Sequence, residues 1–262
     1  MVGSALVAAG LAAPSLVATA AIYLAARGRR GEAGTEPLPW RGAAWAFLHE
    51  WVATLAFLIA TVLPARTTAA VHRSRRVALV VPELYGSTAA FWYLRRRLRA
   101  AGWDTATAVR RIATARTAEL FAALDARIAE LAPDCELILI GHGVGGLLAH
   151  RYAQQRPLRR LRHVVTLATP HQGSDALPYR LLARGELTQA EPPSPAAAPD
   201  VIAIYSDFDA WLVPVDDAYC PGGFNIAVRG IGHCAVLLSR RVADLLVENL
   251  SAPAPDRHLT GA

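Results

Sequence analysis

The stretch that decides the fold runs from Cys135 to Ala149, CELILIGHGVGGLLA. Leu137, Ile138, Leu139 and Ile140 form an unbroken apolar run, which predicts a strand buried on both faces. Gly141, His142, Gly143, Val144, Gly145 and Gly146 follow as a glycine-rich turn, and a helix is expected to open at Leu147. Glycines at alternate positions permit a turn too sharp for ordinary side chains. Gly143 stands at its apex, above the end of the strand.

Working outward, the same alternation recurs. Val77 to Val81 reads as a second buried strand, Phe91 to Ala101 as a helix, and Trp103 to Val109 as a strand. Thr117 to Leu131 places Leu120, Ala123, Leu124, Ile128 and Leu131 at helical spacing. The helix after the glycine turn runs to Gln155. His163 to Leu167, Val201 to Tyr205 and Phe224 to Val228 read as further strands, and Ser239 to Leu250 as the closing helix. Strands alternating with helices predict a mostly parallel sheet flanked by helices. Glu191 to Pro199, rich in Pro and Ala, reads as a loop or lid connection.

Ahead of this region the composition differs. Val2 to Ala26 carries no charged side chain and ends at Arg27, Arg29 and Arg30, which is long enough for a bilayer span. No positive charge precedes the run, so a retained helix is favoured over a signal peptide. Ala43 to Leu63 is a second apolar run, interrupted by His49 and Glu50, with Trp40, Trp45 and Trp51 about its first third. It reads either as a second span or as an amphipathic segment at the interface. The span is preferred, because Trp51 to Pro64 is uncharged. Glu50 would then pair with His49, mark a contact with a membrane-protein partner, or sit near the headgroups. Arginines are balanced on the two sides of the second run, and the extreme N-terminus has none. The main domain is therefore expected outside the cytoplasmic face of a bacterial inner membrane.

The net charge of +6 comes from Arg alone, as the chain has no Lys. The arginines are scattered and no nucleic-acid module accompanies them, so nucleic acid is not an expected partner. Cys135, Cys220 and Cys234 form no metal spacing and no disulfide framework. Cys220 and Cys234 bracket a predicted strand, too far apart to bridge unless the loops fold back.

Three motifs lie at predicted strand ends: Gly141 to Gly146, Thr166 to Ser174 (TLATPHQGS), and the pair Ser206 to Asp209 with Gly230 to His233. In that order they resemble the α/β-hydrolase fold, and within it bacterial lipases and esterases, over roughly Arg76 to Leu250. The turn GHGVGG is similar to that family's nucleophile elbow, G-x-S-x-G. The resemblance implies Asp209 as triad acid, His233 as base, and backbone amides of Leu84 and Val144 as the oxyanion hole. It puts Gly143 in the nucleophile's place. Glu83, Tyr85 and His142 would line the pocket. No cofactor and no metal are implied; the spacing of Glu83, Asp209 and His233 gives no metal signature.

Two departures matter. Gly143 offers no hydroxyl, and Pro82-Glu83 stands where the family has His-Gly. An ionised Glu83 would oppose an oxyanion. Ser87 is the nearest hydroxyl in sequence to the pocket. The chain therefore divides into a membrane anchor of two hydrophobic helices (1–66), an α/β-hydrolase-like domain (67–250) and a flexible tail (251–262). The expected function is a membrane-anchored pseudo-hydrolase, silent as a serine enzyme. It would act as a binding or scaffold module for the bilayer, a membrane protein, or a lipid or acyl ligand in the relic pocket. The alternative is an active ester hydrolase, using a displaced nucleophile or His-activated water, or a serine enzyme inactivated by Ser→Gly. Asp209 and His233 are expected to converge on an empty place above Gly143.

Overall fold

A computed structural model describes residues 2–30, 38–62, 73–109, 112, 116–156, 158–174 and 200–251. The stretch Glu191 to Pro199 and the tail from 252 lie outside the described residues. Strands β1 (Arg76–Val81), β2 (Asp104–Thr107), β3 (Glu136–His142), β4 (Leu161–Leu167), β5 (Asp200–Ser206) and β6 (Phe224–Val228) form one sheet. Its order is β2-β1-β3-β4-β5-β6, with every pairing parallel. Helices α3 (Trp92–Ala100), α4 (Thr117–Ala129), α5 (Val144–Gln155) and α6 (Arg240–Ser251) flank it.

The central strands are the most apolar. Val77 to Val81 and Leu137 to Ile140 are completely buried. Each large side chain among them stabilises by roughly 1.5–3 kcal/mol relative to exposure. The edges differ: β2 is short and begins at exposed Asp104, while β6 begins at exposed Phe224. Short or partly polar edges keep a parallel sheet from recruiting further strands.

The glycine stretch behaves differently from the expectation in one respect. The helix opens at Val144, directly after the apex, so Gly145 and Gly146 belong to its first turn. Packing requires them there. A Cβ at Gly145 would collide with the carbonyl oxygens of Val81 and Pro82 at the end of β1. A Cβ at Gly146 would collide with Thr169 after β4. The first turn of α5 is thus wedged between the ends of both neighbouring strands. Gly143, with φ 53° and ψ −123°, supplies the sharp reversal that drives it in.

The N-terminal helices α1 (Val2–Arg30) and α2 (Trp40–Val62) form an antiparallel pair, closed where Trp51 Nε1 donates to Ala12 O and Ser15 Oγ. Trp40 to Thr61 has the length and apolarity of a membrane span by composition, with mean hydropathy 1.5. In α1 the apolar stretch among the described residues is shorter, Gly10–Leu24. α2 also packs on the sheet domain. Ala46, Glu50, Ala53 and Ala60 are buried and Phe57 packs beside them, a stripe at helical spacing. Trp45, Leu48 and Val52 are exposed on the same helix.

Glu50 neither pairs with His49 nor faces outward. Its carboxylate accepts hydrogen bonds from the amides of Cys234 (3.0 Å) and Ala235 (2.9 Å), fully buried. Tyr23 adds a bond from its hydroxyl to Phe208 O. The helix pair is therefore tied to the loops that follow β5 and β6. Replacing Glu50 by Ala strands two buried amide donors and should cost about 2–3 kcal/mol. Thermal denaturation should show a midpoint lower by roughly 5–10 °C. An unchanged midpoint would mean that α2 does not hold the loop.

Candidate functional site

The loops at the carboxyl ends of β1, β3, β5 and β6 converge at one point. After β1, Pro82 and Glu83 enter a tight turn in which Gly86 N donates to Glu83 O (2.8 Å) and Tyr85 takes a left-handed φ of 58°. Tyr85 N donates to Ile112 O, fixing the outer side of this turn. The chain reversal brings the Glu83 side chain back over the apex of the elbow.

There the carboxylate meets both amides assigned from the sequence. Glu83 Oε1 accepts from Leu84 N (2.6 Å) and Val144 N (3.1 Å). Val144 is the first residue of α5, so the charge also sits at the positive end of a helix dipole. Glu83 Oε2 lies 3.1 Å from His233 Nε2, and Asp209 Oδ2 lies 2.8 Å from His233 Nδ1. Asp209 is itself oriented by the Trp211 amide, 2.7 Å from Oδ1. Trp211 stacks on the His233 ring at 4.7 Å with planes 8° apart, completing the imidazole's surroundings.

The expected empty place above Gly143 is therefore filled. A Cβ on Gly143 would overlap Glu83 Oε2. The reason is geometric: a glutamate two residues beyond β1 has the reach to enter the space that glycine vacates. Glu83 does not merely stand near the amide pair; it saturates it.

Burial works against both charges. It would raise the Glu83 carboxyl, but the hydrogen bond and charge of His233 outweigh it and hold Glu83 below its ordinary 4.5. Burial likewise disfavours the His233 cation, yet the Asp209 charge, with the bonds to Asp209 and Glu83, pushes the imidazole up to about 10. At neutral pH the group is an imidazolium between two carboxylates, none more than 1% exposed. Each ring nitrogen of His233 faces a carboxylate oxygen, so a proton on either one is held in place and not offered for exchange with a substrate.

The other predicted residues are placed as follows. His142 is fully buried, its Nε2 2.9 Å from His233 O and its ring 4.6 Å from that of His233. Burial and then the His233 charge lower it to about 4, keeping it neutral. Tyr85 is exposed. Ser87 Oγ accepts from Ala89 N and caps a short 3₁₀ turn. All three cysteines are free thiols.

Sequence reasoning passed over Trp211 and Phe57, and it did not foresee the bonds that Ser206 and Glu50 make. Ser206 Oγ accepts from the amides of Phe208 and Ile231, tying the Asp209 loop to the His233 loop. Phe57 of α2 reaches the site from above, 6.3 Å between ring centres with His142. Beside it a crevice bounded by Ala53, Phe57, Trp92 and Cys234 has about 10 Å³, room for one water. Only the Ser-Asp-x-Asp and Gly-His spacing carried a signal for any of these, and it marked the loops rather than their ties.

In overall shape the chain is similar to several solved structures. One is RedJ, a thioesterase of prodiginine biosynthesis in Streptomyces coelicolor, with a PEG molecule bound in its active site. It has TM-score 0.52 and 19% identity, covering 72% of this chain and 92% of that one. A second is the type II thioesterase BorB from the borrelidin biosynthetic cluster, with TM-score 0.51, 18% identity and coverage of 72% and 97%. A third is MGS-MChE2, an α/β hydrolase enzyme from the metagenome of sediments of the Mar Chica lagoon, Morocco. Its TM-score is 0.52, with 14% identity and coverage of 67% and 90%. No protein-family model and no curated protein matches the sequence. At such identities the likeness is one of fold. The chain has the α/β-hydrolase fold.

The buried charges predict a pH response. The folded pKa of His233 lies above its ordinary 6.5. Its contribution to stability is therefore complete below pH 6.5 and lost as pH rises through about 10. The Glu83 contribution has the opposite sign: present above pH 4.5, lost as pH falls through its lower folded value. Glu83→Gln removes one of the two carboxylates, so the alkaline loss should begin at lower pH. Urea midpoints measured from pH 6.5 to 10 test this; parallel curves for both proteins would mean that His233 is neutral.

Proposed function

We propose that this chain is a membrane-anchored α/β-hydrolase-fold protein that is silent as a serine hydrolase and serves as a binding or scaffold module. The observation that carries the reading is the Glu83 carboxylate, bonded to Leu84 N, Val144 N and His233 at once. Acyl transfer needs a nucleophile, a base with a free lone pair, and a vacant oxyanion hole. Gly143 removes the first. Glu83 removes the other two, by filling the amide pair and by holding His233 protonated. The hydrophobic helices supply the anchor, and their exposed apolar side chains are the contact for lipid or for a membrane-protein partner. A lipid or acyl chain is the ligand class for the closed site, admitted when α2 separates from it. The inner membrane, with the main domain outside, remains the expected location.

One observation favours a second reading, an active hydrolase with a displaced nucleophile. A carboxylate whose Oε1 is polarised by two amides presents Oε2 as an attacking oxygen, and carboxylates do form covalent esters in catalysis. Attack by Oε2 on an ester carbonyl would expel the alcohol and leave an anhydride on Glu83. Water would then hydrolyse that anhydride, regenerating the carboxylate. Turnover in ¹⁸O-water would place the label in Glu83 when water attacks the Glu83 carbonyl, and in the released acid when it attacks the acyl carbonyl.

Fluorophosphonate labelling and p-nitrophenyl ester turnover separate the readings. The natural chain should neither label nor turn over ester. Gly143→Ser alone should also be silent, and less stable by roughly 1–3 kcal/mol from the overlap with Glu83. Gly143→Ser with Glu83→Gly should label, and His233→Ala should abolish that labelling. Turnover by the natural chain that is lost in His233→Ala would overturn the silent reading. Release of the chain from membranes by alkaline carbonate would remove the anchor.

A further inference from the structure

A second cluster of ligating side chains lies outside the Glu83–His233 site. His150 on α5, His171 in the loop after β4 and Cys220 in the turn before β6 come together. One ligand atom from each lies within 4.8 Å of the other two. The two imidazoles stand nearly perpendicular, with ring centres 5.3 Å apart. Cys220 is a fully buried free thiol. Nothing in the triad geometry calls for these residues, and they arrive from three separate segments.

We propose that His150, His171 and Cys220 form a zinc site of three protein ligands with a fourth position open to water or an external ligand. The donor set selects the cation: two imidazole nitrogens and a thiolate suit Zn²⁺, whereas Mg²⁺ and Ca²⁺ require oxygen. Tetrahedral zinc, with bonds of about 2.0–2.3 Å, holds its ligand atoms roughly 3.5 Å apart. From a separation of at most 4.8 Å, the three atoms need to close by up to about 1.3 Å to reach that spacing.

The surroundings already resemble an outer shell. His171 Nε2 and Thr166 Oγ1 lie 2.9 Å apart; with Nε2–H donating to the hydroxyl, Nδ1 would keep the lone pair that a metal takes. Gln154 Nε2 donates to His150 Nε2 (3.2 Å), a bond that zinc at this nitrogen would displace. The Cys220 turn is fixed by Asn225, which accepts from Cys220 N and donates to Cys220 O and Gly223 O. Binding converts the Cys220 thiol to a zinc thiolate and releases one proton to solvent. The metal would join α5, the loop after β4 and the turn before β6.

The test uses the full chain in mild detergent, stripped by a chelator and titrated with Co²⁺ and then Zn²⁺. Co²⁺ should give tetrahedral visible bands with a near-ultraviolet thiolate-to-cobalt charge-transfer band, and Zn²⁺ should bleach both. Cys220→Ser should abolish the charge-transfer band. His150→Ala and His171→Ala should each weaken Zn²⁺ binding at least tenfold. Thr166→Val, which keeps the volume and removes only the hydroxyl, should weaken it severalfold and remains informative if Cys220→Ser fails to fold. Cobalt colour without charge transfer would put the ion on oxygen and nitrogen donors, such as Glu83, His142 and His233, and overturn the assignment. So would a charge-transfer band that survives Cys220→Ser, or zinc affinity indifferent to all four substitutions.

Discussion

The carboxylate of Glu83 lies where three polarities meet: the amide hydrogens of Leu84 and Val144, the positive end of α5, and the His233 imidazolium. A charge withdrawn from water costs several kcal/mol, and only dense, well-aligned partners offset it. Here each carboxylate oxygen has its own. Oε1 takes two backbone donors and Oε2 takes the imidazolium, whose other nitrogen is held by Asp209. Removing His233 would leave two buried carboxylates facing each other with no cation between them, a loss of about 3–5 kcal/mol. The arrangement is thus held together by the same electrostatics that a hydrolase applies to its transition state. In this chain a permanent anion takes the place of a transient one.

The covering of the site follows the same logic. Glu50 caps the amides of Cys234 and Ala235, immediately after His233, so α2 is bonded to the loop that carries the imidazole. Phe57 and Ala53 fill the space above, and Tyr23 ties α1 to the Asp209 loop. Excluding water strengthens every interaction beneath. Helices and charge lock support one another, since neither a wet site nor an undocked helix would keep both carboxylates in place.

Much of this was legible in the sequence, for reasons that are local. Unbroken apolar runs at Val77 and Leu137 fixed the central strands, because only a strand covered on both faces tolerates such a run. The observed β6, Phe224–Val228, has the expected bounds. The glycines of 141–146 marked the turn, although Gly145 and Gly146 serve close packing inside the helix. What escaped was contact over distance. Glu83 folds back through a rotamer that spacing does not encode. Glu50 meets its partners 184 and 185 residues away. α2 is apolar enough to cross a bilayer and also carries a stripe that docks on protein, and hydropathy reports the sum of the two.

The overlap between a side chain at 143 and the carboxylate of Glu83 also constrains history. A serine side chain at 143 and the observed placement of the Glu83 carboxylate are mutually exclusive in this backbone. If the chain descends from a serine enzyme, the glutamate carboxylate could enter this place only after the serine had gone, and a form without both carried a true vacancy with an unengaged imidazole. That vacancy put the amide pair and the base at the disposal of whichever anion came next, and a residue of the chain itself became the permanent occupant. The path back to a working site needs both changes, because a serine restored alone meets an occupied place.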